Sequence, residues 1–279
     1  LHSTSRRQRQ MCIRDRFYNG DILLLYAVVG FALIPVCKLK DKTVFWIALI
    51  LLLQPYEWGR AIYAMINPDY VVATGHYMPY AIRAQEVTAN GNFFEVLCSN
   101  ISDGQLYSNI WQVENGRLFQ TAALFMFGML LGRRKYLIKS EESVRFWKKM
   151  LKGAVLAFIP LYCLKTFVPD LLTNPSVQIP YKIAVPSYAN FAFMIILVSI
   201  FTLLWFKKEK GYGWQSLLIP YGRMSLTNYI SQSIMGVIIY YGFGLAMYKY
   251  AGATASLLIA LLIFCLLYTS PSPRDSTSS

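Results

Sequence analysis

One apolar stretch of the sequence carries polar side chains at helical spacing. In the string YGRMSLTNYISQS, Ser225, Asn228 and Gln232 occupy positions i, i+3 and i+7, which lie on one face of an α-helix. Thr227 adds a neighbouring position, and Arg223 at the start of the stretch could bind a phosphate or a carboxylate. The pattern predicts either the polar lining of a substrate-binding cavity or hydrogen bonds between packed helices.

Two pairs of opposite charges interrupt other apolar stretches. Glu57 and Arg60 follow Pro55, which interrupts a helix and frees a carbonyl group. The two side chains are three residues apart, so an ion pair between them would reduce the cost of burial. Glu114 and Arg117 have the same spacing where a helix is predicted to begin, and a carboxylate is favourable there. We expect both pairs to be structural, with Glu57 as an alternative proton carrier.

His76 and Glu57 are the candidate catalytic residues. Histidine is the commonest general base, but no Ser, Cys or Asp stands at a recognisable spacing from His76. Asn190 follows Pro186 in an early helical turn and is predicted to line a cavity or to make a packing bond. The sequence has no P-loop, HExxH or GxSxG motif and no metal-ligand spacing of cysteines, so it predicts no metal site and no required cofactor.

The composition is that of a membrane protein. Apolar residues make up 56% of the chain and charged residues 15%, whereas a soluble domain has about 45–50% and about 25%. The net charge of +13 would also suit a nucleic-acid-binding protein. However, most of the basic residues lie in short loops between apolar runs, which is the pattern of cytoplasmic loops in membrane proteins. We therefore exclude nucleic acid as a partner and expect a lipid bilayer.

The apolar runs indicate an all-α, polytopic transmembrane helical bundle of about seven spans. About 20 largely apolar residues are needed to cross about 30 Å of hydrocarbon. Runs of this kind, some with polar shoulders, cover residues 20–37, 43–66, 115–132, 153–169, 186–206, 224–248 and 252–267.

The basic loops predict the orientation of the bundle. Lysine and arginine are concentrated in segments 38–42, 133–152 and 207–222, which alternate along the chain and therefore share one side of the membrane. We expect this side to be the cytoplasmic face of a bacterial inner membrane. Residues 67–114 then form a long outer loop with re-entrant or amphipathic segments.

Both ends of the chain differ in character from the rest. Residues 1–16 are polar, basic and without periodicity, and residues 266–279 become rich in serine and proline after an apolar run. Both strings resemble translated sequencing-adapter read-through, so we expect the leader and the tail to be artefactual. The predicted transmembrane domain is then 17–265.

Four segments resemble a known family. GRMSLTNYISQSIMGVIIYYGFGL (222–245) closely resembles the signature helix of the YeiB-like family, domain of unknown function 418. NGDILLLYAVVGFALIPV (19–36), ENGRLFQTAALFMFGMLLGRR (114–134) and VPSYANFAFMIILVSIFTLLW (185–205) are similar to other helices of that family. The similarity extends over roughly 17–265.

The resemblance implies a membrane enzyme. The family is grouped with a broad superfamily of membrane acyltransferases, which pass an acyl group from a cytoplasmic donor to an acceptor at or across the membrane. On this basis Arg223 would bind the phosphate of a donor such as acyl-CoA, and Asn228 and Gln232 would orient polar groups of a lipid-linked or small-molecule substrate. The N-terminal Asp-x-x-Arg-Gly motif of the family is absent from this chain, and so is its expected C-terminal end.

Two other functions remain open on the sequence. A small-solute transporter would use the same polar cavity, with Glu57 as proton carrier and broken helices around a site near the membrane midplane. A non-catalytic membrane scaffold would have its polar side chains bonded between helices and no cavity. Fold membership alone does not decide between these functions.

Overall fold

The computed structural model describes residues 23–67, 69–207 and 225–269, together with Gly213, Leu218, Ile219 and Gly222. All regular structure in these residues is helical, in agreement with the predicted all-α class. The helices are α1 (Leu23–Leu33), α2 (Asp41–Leu52), α3 (Pro55–Ile66), α4 (Met78–Asn90), α5 (Phe93–Ser99), α6 (Gln105–Glu114), α7 (Arg117–Arg133), α8 (Glu141–Phe167), α9 (Pro175–Lys207), α10 (Ser225–Tyr240) and α11 (Ala253–Thr269).

The helices belong to two compact units. Among the described residues, unit A comprises those within Leu23–Gly75 and 111–207, and unit B comprises His76–Ile110 and those from Gly213 onward. Unit A therefore holds α1 to α3 and α7 to α9, and unit B holds α4, α5, α10 and α11. The division falls within α6.

A long helical hairpin is the largest element of unit A. Helices α8 and α9 have 27 and 33 residues, pack along each other, and are joined through a 3-10 turn at Val168–Leu171. Ser140 caps α8 by accepting a hydrogen bond from the backbone N of Ser143 at 3.0 Å. Both helices begin well before the predicted spans 153–169 and 186–206, because hydropathy detects only the apolar part of a helix whose first turns are polar or contain proline.

The predicted span 43–66 is interrupted at Pro55, as the proline indicates. It consists of α2 and α3, which are separated at Leu53 and Gln54. Pro55 has no N–H to continue the hydrogen bonding of α2, and proline disfavours helical geometry in the residue before it. Pro55 itself occupies the first position of α3, where its fixed φ suits a helix start.

The other predicted spans agree with the structure to different degrees. Predicted spans 115–132 and 252–267 correspond closely to α7 and α11. The span 224–248 contains α10, which ends at Tyr240, and the predicted outer loop 67–114 is mostly helical. Within the described residues, two stretches are long and apolar enough to cross a membrane alone, Glu141–Leu171 and Pro175–Lys207, so seven individual spans are not confirmed.

Unit B has its own small apolar core. Val96 of α5, Val237 of α10 and Tyr241, which directly follows α10, are buried together. Beside this core, the backbone N of Gly242 donates to the carbonyl of Thr88 at 3.0 Å. These contacts join α4, α5 and α10.

One carboxylate joins the basic ends of two helices in unit A. Asp41, in the first turn of α2, accepts hydrogen bonds from Arg133 at 3.0 Å and from Arg134 at 3.2 Å, at the end of α7. Arg133 also donates to the carbonyl of Leu39 at 3.1 Å. The predicted cytoplasmic segments 38–42 and 133–152 therefore meet at one end of unit A. The two guanidinium groups hold the pKa of Asp41 below its ordinary value of 3.8.

We expect Asp41→Asn to destabilise the protein at neutral pH but not in strong acid. Because the folded-state pKa of Asp41 lies below the unfolded one, its stabilisation is complete above the unfolded pKa and is lost as the pH falls through the folded-state pKa. Thermal unfolding in detergent between pH 3 and pH 7 should show a difference in Tm between wild type and variant that shrinks below about pH 4.

Asp69→Asn is the control, since it removes an exposed carboxylate that forms no ion pair with the described residues. A difference for Asp41→Asn that stayed constant down to pH 3, or an equal effect of Asp69→Asn, would contradict the assigned role of the two arginines.

Candidate functional site

The break between α2 and α3 places a polar side chain inside unit A. Gln54 has left-handed backbone geometry (φ 52°, ψ 57°), which non-glycine residues seldom adopt. Its side chain is completely buried, and Nε2 donates to the carbonyl of Gly116 at 2.9 Å. The buried Oε1 of Gln54 accepts no hydrogen bond from any described residue. The break thus provides a buried acceptor for a water molecule or a bound polar group.

Gly116 fits the other side of this contact because it lacks a side chain. It precedes α7 and has a positive φ of 64°. A Cβ atom at this position would lie 2.6 Å from Oε1 of Gln54. Gln54 and Gly116, which both have left-handed backbone geometry and each precede a helix, are therefore in contact. Only glycine at position 116 leaves room for the Gln54 side chain.

We expect Gly116→Ala to destabilise the protein by about 1–3 kcal/mol, since it adds both backbone strain and a clash with Gln54. Gly128→Ala in α7 is the matched control, because a Cβ at Gly128 meets nothing within 4 Å. That change should be neutral or stabilise the helix by up to about 1 kcal/mol. Chemical or thermal unfolding in detergent measures both values, and equal effects would contradict the close contact.

Glu57 and Arg60 form an ion pair within α3. Nη1 of Arg60 lies 3.2 Å from Oε2 of Glu57, and the side chains are 12% and 1% exposed, respectively. Arg60 also uses Nη2 to donate to the carbonyl of Ala73 at 3.1 Å. The pair thus fixes the non-helical chain after α3. Arg60 offsets part of the cost of burying the Glu57 carboxylate, which suits a structural role.

Side chains from three helices, α3, α6 and α9, form hydrogen bonds with the non-helical segment that follows α3. In addition to the contact of Arg60 with Ala73, the backbone N of Val72 donates to Oγ of Ser176 at 3.2 Å. The backbone N of Gly75 donates to Oε2 of Glu114 at 3.1 Å. These bonds satisfy backbone groups that no secondary structure would pair.

The predicted pairing of Glu114 with Arg117 takes a different form. Arg117 donates to Oε1 of Gln120 at 3.0 Å, and its guanidinium group lies 5.7 Å from the ring centroid of Trp111. Glu114 instead accepts the bond from the backbone of Gly75. The difference arises because Gly116 bends the chain between the two residues, whereas the expected i, i+3 contact requires one continuous helix.

A short hydrogen-bonded chain ties the helix break to α9. Nε1 of Trp58 donates to the hydroxyl of Tyr188 at 2.7 Å, and that hydroxyl donates to the carbonyl of Leu53. The Leu53 carbonyl is available because α2 ends there. Pro55 indicates the helix break in the sequence, but nothing in the sequence identifies Tyr188 as the donor to Leu53.

The residues of the predicted polar stripe are only partly described. Arg223 and the side chains of Ser225 and Thr227 lie outside the described part of the chain, whereas Asn228 is buried and Gln232 is half-buried on α10. Whether these five side chains share a cavity therefore stays a prediction.

The other two candidates are exposed side chains. Asn190 is exposed in the middle of α9, so its expected position in an early turn is wrong, because α9 begins at Pro175. His76 is exposed at the start of a unit B segment.

An apolar groove of about 900 Å³ runs along the hairpin of unit A. Its walls come from one face of α8, one face of α9 and the end of α2. They consist of Leu52, Leu53, Phe146, Lys149, Met150, Lys152, Gly153, Ala154, Leu156, Ala157, Leu161, Tyr188, Phe191, Ala192 and Ile195. The small residues Gly153, Ala154 and Ala157 leave the space, and their spacing along α8 is the one signal in the sequence that could have indicated it.

Comparison with known proteins gives the family. A family model described as "Protein of unknown function (DUF418)" matches residues 131–271. The chain belongs to the DUF418 family. The match confirms the resemblance predicted from the sequence, and it includes α8, α9, α10 and α11.

This chain is also similar to a curated bacterial protein. It is 24% identical over 259 residues to "Uncharacterized protein YxaH" of Bacillus subtilis (strain 168). The alignment covers 88% of this chain but 60% of the relative, so the chain spans less than two thirds of the relative's length. No solved structure matches.

Proposed function

We propose that this chain is an integral, multi-pass protein of a bacterial inner membrane. The observation that carries the proposal is the exposure of the α8–α9 hairpin. Only 6% of the most apolar 18-residue window of Glu141–Leu171 is buried, and 28% of that of Pro175–Lys207. A core helix of a soluble protein would be mostly buried, so length and composition together with this exposure favour a lipid environment.

The individual side chains support this environment. Large apolar residues on the outer surface of α8 include Leu156 (76% exposed), Ile159 (60%) and Phe167 (66%). On α9, Leu197 and Phe201 are about half exposed. Each such side chain forgoes about 1.5–3 kcal/mol when it remains in water, and lipid removes that penalty.

The basic residues favour one orientation. Contacts of Asp41 bring segments 38–42 and 133–134 together, and Nε1 of Trp147 in α8 donates to the carbonyl of Tyr136 at 2.8 Å. The start of α8 therefore lies at this same basic end, and the hairpin returns α9 to it at Lys207. This end would face the cytoplasm.

We expect the protein to stay in membranes under alkaline carbonate extraction. In a background with all cysteines replaced by serine, Asp170→Cys between α8 and α9 should react with a membrane-impermeant maleimide added to intact spheroplasts. Lys139→Cys in the basic segment should react only after the membrane is permeabilised. Release by carbonate, or labelling of both positions from outside, would contradict the proposal.

Acyl transfer is the finer proposal for the reaction. It rests on the family resemblance and on the stripe of Arg223, Ser225, Thr227, Asn228 and Gln232, which would bind an acyl-CoA donor and a lipid-linked or small-molecule acceptor. Arginine suits this function because its planar guanidinium group binds phosphate in a bidentate manner. No metal or further cofactor is required by this scheme.

We expect purified protein to transfer a radiolabelled acyl group from acyl-CoA to membrane lipids or glycans. Arg223→Ala should lower kcat/KM at least about ten-fold through loss of a charged hydrogen bond, whereas the equal charge loss in Arg145→Ala should leave it within about two-fold. Absence of turnover, or equal effects of the two changes, would contradict acyl transfer and the role of Arg223.

The small-solute transporter is the second candidate. The observation that favours it is the broken helix at Gln54 and Pro55 with Glu57 buried beside it, since transporters commonly bind ions at such breaks. Solute uptake into proteoliposomes that Glu57→Gln abolishes would select this function over acyl transfer.

A further inference from the structure

We propose that the groove between α8 and α9 binds one acyl chain of an anionic phospholipid, with the lipid phosphate against Lys149 and Lys152. This inference rests on the membrane placement proposed above but not on acyl transfer. It names a lipid site built from other residues than those of the polar stripe of α10.

The groove has the dimensions of an acyl-chain site. Its lining on α8 extends from Phe146 to Leu161, and the part from Lys149 to Leu161 covers 12 residues, or about 18 Å at 1.5 Å per residue. One leaflet contributes about half of the roughly 30 Å hydrocarbon core. A chain from one leaflet would therefore fill the groove from the basic end to the helix break at Leu53.

The chemistry of the groove changes along this length. Its interior is lined almost entirely by aliphatic and aromatic side chains. Gly153 and Ala157 have little or no side chain and so leave room for a ligand. Lys149 and Lys152 are the cationic members of the lining, and both lie toward the start of α8. An apolar channel with ammonium groups at one end is complementary to a fatty chain that carries a phosphate.

The two lysines are available for an anion. Both are exposed, and neither forms a hydrogen bond or an ion pair with the described residues. Arg145 and Lys148 continue the same face of α8 at i, i+3, i+4 and i+7 spacing. The carboxylates of Glu141 and Glu142 lie in the first turn, more than one turn from Lys149.

The exposure of the groove favours a membrane lipid over a soluble acyl donor. Leu156 lines the groove and is 76% exposed, so the groove opens on the same surface that the hairpin presents to lipid. A phospholipid tail could enter sideways from the bilayer, whereas a soluble thioester would have to leave water first.

The test uses the chain reconstituted in phosphatidylcholine nanodiscs that contain a few per cent of phosphatidylglycerol with a photoactivatable diazirine near the end of one acyl chain. After irradiation, peptide mass spectrometry locates the cross-links. We expect labelling of the α8 and α9 peptides that line the groove. The same probe on phosphatidylcholine should label them at least about ten-fold less.

Two pairs of variants make the result specific. Lys149→Gln with Lys152→Gln should reduce the groove label about ten-fold, because each lysine near a membrane surface contributes to anionic lipid binding. Lys38→Gln with Lys139→Gln removes the same charge outside the groove lining and away from that face of α8, and should retain the label within about two-fold. Gly153→Phe should block the label and Gly153→Ala should not, since a Cβ at Gly153 meets nothing within 4 Å.

Several results would overturn the inference. These are equal labelling by both probes, equal effects of the two lysine pairs, and loss of label on addition of acyl-CoA but not of unlabelled phosphatidylglycerol. A groove that stays unlabelled while other surfaces react would show that protein segments cover it. If the protein instead leaves the membrane under carbonate, the membrane placement itself fails, which separates the two proposals.

Discussion

Pro55, which has no amide hydrogen, determines where the buried polar contacts of unit A form. Pro55 cannot continue the hydrogen bonding of α2, so the chain leaves the helix at Leu53 and Gln54 adopts a left-handed conformation. As a result, the Gln54 side chain reaches Gly116 and the Leu53 carbonyl reaches Tyr188. The break therefore attaches the α2–α3 connection both to the start of α7 and to the long helix α9.

The sequence predicts the parts of this structure that depend on local chemistry. Pro55 indicates the break, and the three-residue spacing of Glu57 and Arg60 indicates their contact, which the structure contains. The apolar runs indicate helices. The basic loops indicate that the helix ends next to them lie on one side, and the ion pair between Asp41 at the start of α2 and Arg133 at the end of α7 agrees with this. Each of these features is determined within a few residues or by the solvent.

The remaining features depend on partners distant in the chain. Nothing near Gln54 indicates that its amide meets the carbonyl of Gly116, 62 residues later. Helix limits are missed for a related reason, since the cap at Ser140 decides where α8 begins, whereas hydropathy reports only which turns are apolar. The groove is missed because the small residues that form it are apolar and do not stand out among their neighbours. The polar stripe of α10 could be identified from spacing but not placed, because spacing defines a helix face and not its surroundings.

The bond chain at Tyr188 has a fixed direction. An indole nitrogen can only donate, so the phenol oxygen must accept from Trp58 and direct its single proton to Leu53. Replacing that phenol with phenylalanine would leave the indole N–H and the Leu53 carbonyl without their partner at once. Substitutions at Tyr188 and Trp58 should therefore occur together during evolution. A homologue without the tyrosine hydroxyl should also have, in place of the tryptophan, a residue without a polar hydrogen.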